Sequence, residues 1–589
     1  MSTLAPTALR ARTATAETGL GTAAPGLSAA FRAALPRATE VVTRRLAGAL
    51  LREGLASSAD LPSTVVTGRY GFGRVEVALV GEPARVLGEL CERIASPSLA
   101  DELADAVVHL ALAYARRAAR DAALLDRAAR SGAPDTLELA ARLPADEQAL
   151  FFERLATEGH NLHPCGRTRL GWSVADALAH DLEAEATAVA FVAIRRELHL
   201  GDDLGAALGV KAPAGYVAQP VHAWQLPRLL RRYRDLVADG ALVLMDGVRL
   251  AAAPTAALRS VLLEPAADGT RSYLKLSLDI QVTSTRRTIS VASTRNGPTL
   301  SALLGRLLDD DRDGARLLLL AEVAGTALVG PAVPAGVVGS AGVVGSAAPG
   351  GDRSRDASAI LRQGLTGRLR PDEIAVAGGA LYAASPVTGD TLLAELVHRY
   401  AIARGVRTPA AAALSFLDSY ARLLLPPLLR LLTRYGIAVE AHLQNCIPTF
   451  VDGVPHRLVL RDFAGLRVYP PRLAARGVGL VLWPGSVVGT GDVDVARAKL
   501  AYTALQAHLG ELVLQLVGSH GLRESAAWRA VRAILDEVYD ELRADPGTAR
   551  DAAADHAFWT APTLPHKALV RMRLVGHGDV YVPVPNPLR

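Results

Sequence analysis

Cysteine is scarce in this chain of 589 residues, which contains only Cys91, Cys165 and Cys446. The three lie far apart and form no Cys-x-x-Cys pair. Such spacing fits neither a disulfide framework nor a structural zinc site. We therefore expect a protein of the reducing cytoplasm, in which Cys165 and Cys446 serve as packing residues.

Lysine is also scarce, and occurs only as Lys211, Lys275, Lys499 and Lys567; nearly all the other basic residues are arginines. The formal net charge of +5 is small for this length, and no run of five or more basic residues is present. Nucleic-acid surfaces show clustered basic residues. The sequence therefore predicts no nucleic-acid partner, and it makes each of the four lysines worth inspection.

A long apolar helix is also missing. Residues 323–351 carry no charge, but they contain three prolines, many glycines and the short repeat GVVGSAGVVGS. A membrane-spanning helix needs about 20 apolar, helix-compatible residues, so we predict a flexible loop over 323–357 and no membrane partner. The Ala/Thr-rich residues 1–26 lack the apolar core of a signal peptide, and we expect a disordered tail there.

The remaining pattern predicts an α+β protein of two to four domains, because one hydrophobic core rarely serves so long a chain. Helical periodicity runs from about 27 to 155, interrupted by one hairpin in STVVTGRYGFGRVEVALV. Residues 160–320 mix helices with strands, and 272–291 alternate as a half-buried strand does. Helices over 391–434 and 490–545 flank a second hairpin that turns at Asp452-Gly453.

The first candidate site is the turn-rich stretch EGHNLHPCGRTRLGWS, residues 158–173. His160 and His163 could bind a metal, but the nearby proline and glycine disfavour a helix, and no third ligand lies close. Arg167 and Arg169, beside glycines, suit a polyphosphate, because each guanidinium can hold two anionic oxygens. A surface loop between domains is the alternative, and the local sequence by itself favours it.

The second candidate is TSTRRT, residues 283–288, at the end of a predicted strand. Thr285 and Arg287 offer hydrogen-bond donors to an anion, and Arg295 follows shortly after. Taken alone, an exposed strand end with solvated arginines is the stronger interpretation.

The third candidate is the second hairpin. Glu440, His442 and Gln444 are spaced by two, so an extended strand would place them on one face. Asp462 interrupts an apolar run on the returning strand. Two carboxylates on one hairpin are a reasonable Mg²⁺ site, since magnesium prefers oxygen ligands and keeps waters and phosphates as the others.

Register decides whether those carboxylates meet. A simple two-residue turn at Asp452-Gly453 pairs Val451 with Val454 and turns Asp462 away from Glu440. A three-residue loop, or a β-bulge, would bring Asp462 to the same face. We predict one of these two arrangements.

The fourth candidate is HKALVRMRL near the C-terminus, where Lys567, Arg571 and Arg573 concentrate positive charge. As isolated residues they would form an ordinary amphipathic segment.

Six motifs together, in this order, resemble the IucA/IucC family of siderophore synthetases that work independently of peptide-synthetase assembly lines. They are GHNLHPCGRTRLG (159–171), PVHAWQ (220–225), KLSLDIQVTSTRRT (275–288), EAHLQN (440–445), LRDFAG (460–465) and KALVRMRL (567–574). The resemblance runs from about 158 to the C-terminus. Arg167 stands where the family has lysine, and Asn161 and Ala223 replace prolines, so loop rigidity is the property in doubt.

The resemblance implies a thumb–fingers–palm architecture. It assigns 27–157 to a mainly helical thumb, 158–375 to the fingers and 376–589 to the palm, with ATP between fingers and palm. Family members are often homodimers. It also implies adenylation of a carboxylic acid, typically citrate or a citryl derivative, followed by condensation with an amine or hydroxyl and release of AMP and pyrophosphate.

By the same resemblance, His442, Arg287 and Arg167 would be catalytic, Glu440 and Asp462 would hold Mg²⁺, and Lys567 and Arg571 would bind the acid's spare carboxylates. The ATP-binding set would comprise His163, Arg167, Arg169, Thr285, Arg287, Arg295, His442, Gln444 and Asn445.

Three other functions stay open. A kinase-like phosphotransferase could use the same basic loops and carboxylates, but it would release ADP. A ligase of the same family could activate another acid, such as α-ketoglutarate or succinate. A non-catalytic homologue could bind a siderophore or a partner, although the filled charged positions disfavour this.

Overall fold

The computed structural model describes residues 4–283, 285–330, 353–576 and 578–589. The predicted flexible loop 323–357 therefore falls largely outside the described residues, which omit 331–352. Within the described parts, no helix is both long enough and apolar enough to cross a membrane.

The N-terminal region is mainly helical, as predicted, and its one β-hairpin lies in the predicted segment. Its elements are α1 (Leu4–Ala23), α2 (Ser28–Arg52), β1 (Thr64–Tyr70), β2 (Arg74–Leu79), α3 (Pro83–Ile94), α4 (Pro97–Ser131), α5 (Thr136–Ala141) and α6 (Ala145–Glu153). The sequence sets the ends of α4: the Ser96 hydroxyl caps its first turn and Gly132 ends it with φ of 65°.

The prediction of a disordered tail over residues 1–26 is wrong for its described part. Helix α1 packs against α4, and Leu9, Ala16 and Leu20 are buried. Arg12 donates to Asp101 and Asp105 on α4, at 2.6 and 2.8 Å. The tail has few apolar residues, but their helical spacing places them on the one face that α4 covers.

The middle region is built on an eight-stranded antiparallel sheet in the order β4-β12-β13-β8-β7-β6-β3-β5. The region comprises α7 (Val174–His180), β3 (Thr187–Arg195), β4 (His199–Gly201), α8 (Leu204–Ala207), β5 (Tyr216–His222), α9 (Leu226–Arg232), α10 (Arg234–Ala238), β6 (Leu242–Pro254), β7 (Ser260–Leu263), β8 (Ser272–Leu276), β9 (Leu278–Val282), β10 (Thr285–Arg287), α11 (Val291–Asp309), β11 (Leu317–Leu319), β12 (Glu322–Leu328), β13 (Ser358–Gln363) and β14 (Ile374–Ala375).

Two predictions for this region need correction. The single strand predicted over 272–291 is three strands: β8 belongs to the large sheet, whereas β9 and β10 form a separate hairpin. Residues 322–328, assigned largely to the flexible loop, are strand β12 in the same sheet. Residues 325–328 of this strand are buried in the sheet, so the absence of charge there reflects burial rather than flexibility.

The C-terminal region surrounds the largest apolar core, which centres on the long helix α13. Its elements are α12 (Leu392–Arg404), α13 (Pro409–Tyr435), β15 (Ile437–Ala438), β16 (Cys446–Val451), β17 (Val454–Leu460), β18 (Arg467–Val468), α14 (Pro470–Ala475), α15 (Val493–Leu500), a π-helical stretch (Ala501–Leu509), α16 (Gly510–His520), α17 (Glu524–Ala544), α18 (Ala549–Trp559), β19 (Thr563–Lys567), α19 (Leu569–Val575) and β20 (Tyr581–Pro585).

A four-stranded sheet, β11-β17-β16-β14, joins the middle and C-terminal regions. Strands β11 and β14 come from before residue 376, and β16 and β17 from after it. The predicted boundary at 375 therefore falls within one sheet, and the division into thumb, fingers and palm stays a prediction.

The hairpin β16–β17 confirms the predicted bulge. Val451 pairs with Val454 across a two-residue turn, but the register shifts between Pro448 and Phe450, so that Cys446 pairs with Leu460. The strand assignment of EAHLQN is wrong, however. Residues 439–442 lie outside any strand and Leu443–Asn445 form a 3₁₀ turn, so β16 begins only at Cys446.

Candidate active site

One cavity of about 1350 Å³ collects residues from every candidate stretch of the sequence. Eleven of the thirteen predicted site residues line it: His163, Arg167, Arg169, Thr285, Arg287, Glu440, His442, Gln444, Asn445, Asp462 and Lys567. Arg295 and Arg571 are not among the described lining residues. The loop at 158–171 and the β16–β17 region therefore share one cleft.

Segment 158–171 forms the basic wall of the cavity without regular secondary structure. The backbone of this segment passes close to itself at Gly159, where a Cβ would lie only 2.8 Å from the Gly166 carbonyl oxygen. Arg167 donates to both oxygens of Glu183 at 2.9 Å, and Arg169 donates to Asp181 at 3.0 and 3.2 Å.

The charges of Arg167 and Arg169 are thus largely compensated inside the protein. Both side chains are nearly fully buried. Burial alone would raise the pKa of Asp181, but the two arginines hold it well below its usual range. Arg167 is therefore paired with Glu183 inside the protein, and its contact with phosphate stays a prediction.

The β9–β10 hairpin contributes Arg287, a cation with few partners. Arg287 donates to the Thr283 hydroxyl at 3.0 Å, whereas its buried Nε has no hydrogen-bond partner. Burial, with help from nearby Arg259, lowers the pKa of Arg287 to about 10. A buried guanidinium repelled by another cation is a site that an anion would stabilise.

Glu440 enters the cavity beside a glycine that makes room for it. A Cβ on Gly465, in the LRDFAG motif, would lie 1.7 Å from Glu440 Oε2. Glu440 Oε1 accepts from Lys499 Nζ at 2.5 Å. Burial raises the pKa of Glu440, but Lys499 and His442 bring it below its ordinary value, so the carboxylate is ionised.

Asp462 lies within a cluster of buried charges. Its Oδ1 accepts from Lys275, and Arg362 lies 3.9 Å from its Oδ2. Glu322, fully buried, lies 3.5 Å from Lys275 and 3.3 Å from Arg362. Burial raises the pKa of Asp462, but Lys275, Arg362 and Arg259 lower it far below its usual range.

His442 lies close to segment 158–171, with its ring centroid 6.5 Å from that of His160. Burial lowers the pKa of His442 although Glu440 opposes the shift, so the imidazole is neutral at pH 7. The neighbouring amides are engaged: Asn445 donates to the Glu440 carbonyl at 3.1 Å, and Gln444 to the Ala256 carbonyl at 3.3 Å.

The C-terminal motif divides between the cavity and the N-terminal region. Lys567 lines the cavity and pairs with Asp579 at 2.8 Å. Arg571 was predicted to bind the acid, but its guanidinium donates to the Glu53 carbonyl at 2.9 Å. Helix α19 turns Arg571 toward α2 and presents Met572 and Arg573 to the cavity instead, a consequence of helical spacing that no motif reports.

Arg295 is the other predicted site residue that is not among the described lining residues of the cavity. It lies on α11, and the next residue, Asn296, lines the cavity in its place. Asn296 accepts from the Trp483 amide at 2.8 Å and donates to the Ser486 hydroxyl at 2.9 Å. It thereby fixes the rim segment 483–488.

Sequence reasoning missed several charged groups that complete the site: Arg259, Lys275, Glu322, Arg362 and Lys499. For the two lysines a signal existed, because lysine is so rare in this chain. The other three are single charges within apolar strands or loops and carried no visible signal.

The donor set is compatible with Mg²⁺, which takes oxygen ligands and retains waters. Glu440 and Asp462 both line the cavity, and neither Glu440 Oε2 nor Asp462 Oδ2 accepts a hydrogen bond from the described residues. In the described part of the chain, no three His, Cys, Asp or Glu side chains cluster as a metal cage. Any metal here would therefore rely on substrate oxygens as further ligands.

The sequence comparisons agree with this arrangement of motifs. Residues 148–383 match the IucA / IucC family, and residues 414–582 match the family described as ferric iron reductase FhuF-like transporter. Residues 148–383 belong to the IucA/IucC family.

Similar proteins include a D-ornithine–citrate ligase of Staphylococcus aureus, 25% identical over 75% of this chain and 70% of its own. The uncharacterized protein y4xN of Sinorhizobium fredii is 28% identical over 86% of this chain and 84% of its own. Among solved structures, the ATP-bound aerobactin synthetase IucA of Klebsiella pneumoniae superposes with a TM-score of 0.69 at 19% identity, covering 93% of this chain and 99% of that one. This likeness confirms the α+β fold class.

Proposed function

We propose that the chain is an ATP-dependent synthetase that joins a carboxylic acid to an amine or a hydroxyl. The single observation that carries the proposal is the shared cavity, which is lined both by arginines and by the carboxylates of Glu440 and Asp462. A family relative is named for ligation of citrate, so citrate or a citryl derivative is the acid we favour. Another acid, such as α-ketoglutarate or succinate, is the alternative.

The first step would form an acyl-adenylate. An oxygen of the substrate carboxylate attacks the α-phosphorus of ATP, the bond to the β-phosphate oxygen breaks, and pyrophosphate leaves with the electron pair. Both reactants are anionic, so the barrier is largely repulsion and orientation. Arg287, Arg259 and Thr285 would hold phosphate oxygens and offset that repulsion.

The second step would release AMP. The amine or hydroxyl attacks the acyl carbon, the acyl–phosphate bond breaks, and a proton leaves the nucleophile. His442, neutral at pH 7, would donate a hydrogen bond to the α-phosphate in both steps. Lys567 would bind a spare carboxylate of the acid. Glu440 and Asp462 would hold Mg²⁺, which when bound would neutralise phosphate charge.

The wider setting is also part of the proposal. The three cysteines are buried free thiols, which supports synthesis in a reducing cytoplasm. We propose a homodimer on the family resemblance alone. The direct assay is pyrophosphate and AMP release with citrate, α-ketoglutarate or succinate as the acid and hydroxylamine as a surrogate acceptor.

Replacing Glu440 by glutamine should lower AMP and pyrophosphate release about 100-fold, because the variant leaves Lys499 without its negative partner in the cavity. Nucleotide products are separated by chromatography, and substrate affinity is measured by calorimetry. Glu89→Gln, on the surface, is the control and should stay within twofold of the wild type. A chain that binds ligand but never releases AMP would be a non-catalytic homologue, and ADP as product would indicate a phosphotransferase.

Any step that His442 contributes to the pH–rate profile should lie below pH 6.5. Burial places the folded-state pKa of His442 below its ordinary value of 6.5, so the imidazole gains its proton only at lower pH. The measurement is kcat/KM for ATP from pH 5 to pH 9 in the wild type and in His442→Gln. A limb at or above pH 6.5 that disappears in the variant would contradict the assignment of a neutral His442.

A further inference from the structure

A second cavity, of about 450 Å³, lies on the other side of one wall of the active site. Helices α2 and α4 and strand β2 form one side, and α16 and β19 contribute to the other. Four residues line both cavities: Ala156, Asn161, Tyr382 and Leu569. The two spaces therefore adjoin along these four residues.

Most charges in this second cavity are matched in pairs. The pairs are Arg45 with Glu158 at 2.7 Å, Arg74 with Glu511 at 3.3 Å and Arg117 with Asp121 at 2.7 Å. Glu53 is buried and accepts the backbone amides of Val570 and Arg571, at 3.0 and 2.7 Å. Both of its carboxylate oxygens therefore accept hydrogen bonds from the start of α19.

Among the described arginines of this cavity that are not exposed, Arg52 is the exception. It is the last residue of α2, and its one described hydrogen bond runs from Nε to the Gly73 carbonyl at 3.3 Å. No described carboxylate lies within 4 Å of its guanidinium nitrogens. Burial and the nearby Arg74 lower the pKa of Arg52 to about 9, although Tyr502, Glu53 and Glu76 oppose the shift, so its charge is only partly compensated. A partly buried guanidinium of this kind favours a bound anion.

We propose that the second cavity binds the acceptor substrate and that Arg52 holds a carboxylate on that acceptor. This rests on the proposed function, because an acceptor exists only if the chain condenses an activated acid. The acceptor would be an amine or hydroxyl compound that also carries a carboxylate. A polyamine is disfavoured, since Arg52 and the exposed Arg37 and Arg44 would repel its cations.

The position of the cavity fits this role. An acceptor must reach the acyl carbon without displacing the nucleotide, so an approach from an adjoining space is an advantage. The amide of Asn161 donates to Glu511 at 2.9 Å and to the Ala507 carbonyl at 3.2 Å. Asn161 therefore ties the shared wall to the carboxylate that holds Arg74.

The test compares two acceptors that differ only in the carboxylate, namely a diamino acid and the diamine formed by its decarboxylation. With the acid that supports hydroxylamine turnover, the wild type should prefer the diamino acid about tenfold in kcat/KM, as one charge-assisted contact predicts. Arg52→Met should lose this preference while its turnover with hydroxylamine stays unchanged. Arg32→Met, also on α2 but outside the cavity, should keep the preference.

Two outcomes would overturn the acceptor site: no preference in the wild type, or a preference that persists in Arg52→Met. If Arg52→Met also loses hydroxylamine turnover, the preference for the diamino acid is measured in Arg52→Gln instead and compared with that of the wild type. Absence of pyrophosphate release from the wild type with every acid, even with hydroxylamine, would overturn the proposed function and the acceptor site with it.

Discussion

Asp462→Asn should lower pyrophosphate release about 1000-fold, at the upper end of the loss caused by removing one preorganised charge from an active site. Asparagine is nearly isosteric but cannot neutralise Lys275, Arg362 and Arg259, whose charges surround Asp462. The variant also loses one of the two proposed Mg²⁺ ligands. The measurement is single-turnover pyrophosphate release at saturating ATP.

Asp239→Asn is the matched control for this variant. Asp239 pairs with Arg195 at 2.9 Å on the surface, so its loss should change the rate less than twofold. Activity of Asp462→Asn within tenfold of the wild type would contradict the assignment.

A double variant separates two roles of Asp462. If the carboxylate serves only to neutralise Lys275, then Lys275→Met should restore activity to Asp462→Asn. If it contacts the reactants or a metal, the double variant stays inactive. We expect the second result, because Glu322 remains available to neutralise Lys275.

Arg167→Met should lower the free energy of unfolding by about 3–5 kcal/mol, the usual effect of removing one partner of a buried ion pair. The variant leaves Glu183 buried without the guanidinium that donates to both of its oxygens. Arg167→Lys should lose less, because an ammonium group keeps the charge but not the planar fork. Urea unfolding measures both.

Arg32→Met provides the comparison for stability. Its ion pair with Glu17 is exposed, so the loss should stay below about 1 kcal/mol. A loss of similar size for Arg167→Met would mean that the cluster with Asp181 and Glu183 contributes little, and that Arg167 is available to bind phosphate.

Two buried lysines each pair with one of the two carboxylates. Lys499 engages Glu440, and Lys275 engages Asp462, through one oxygen in each case. Each carboxylate thus already has a cationic partner. A divalent ion at this site would have to share or displace these ammonium groups, which ties metal affinity to the position of the two lysines.

The predictions of the β16–β17 hairpin show how far local patterns reach. The turn at Asp452-Gly453 and the need for a bulge followed from counting residues between polar positions, and both are present. The strand assigned to Glu440, His442 and Gln444 is absent, because spacing by two fits an extended chain whether or not a neighbouring strand pairs with it. The three side chains reach the cavity without being in a strand.

The sequence by itself determined the family, the α+β class and eleven of the cavity residues, because short motifs fix which chemical groups stand at a site. Only the tertiary structure decided how those charges are partnered. Arg167 faces Glu183, Asp462 faces Lys275, and Arg571 turns away to Glu53. Each of these partners lies many residues away or on another element. Coulombic and hydrogen-bond energies depend on separation in space, which distance along the chain does not report.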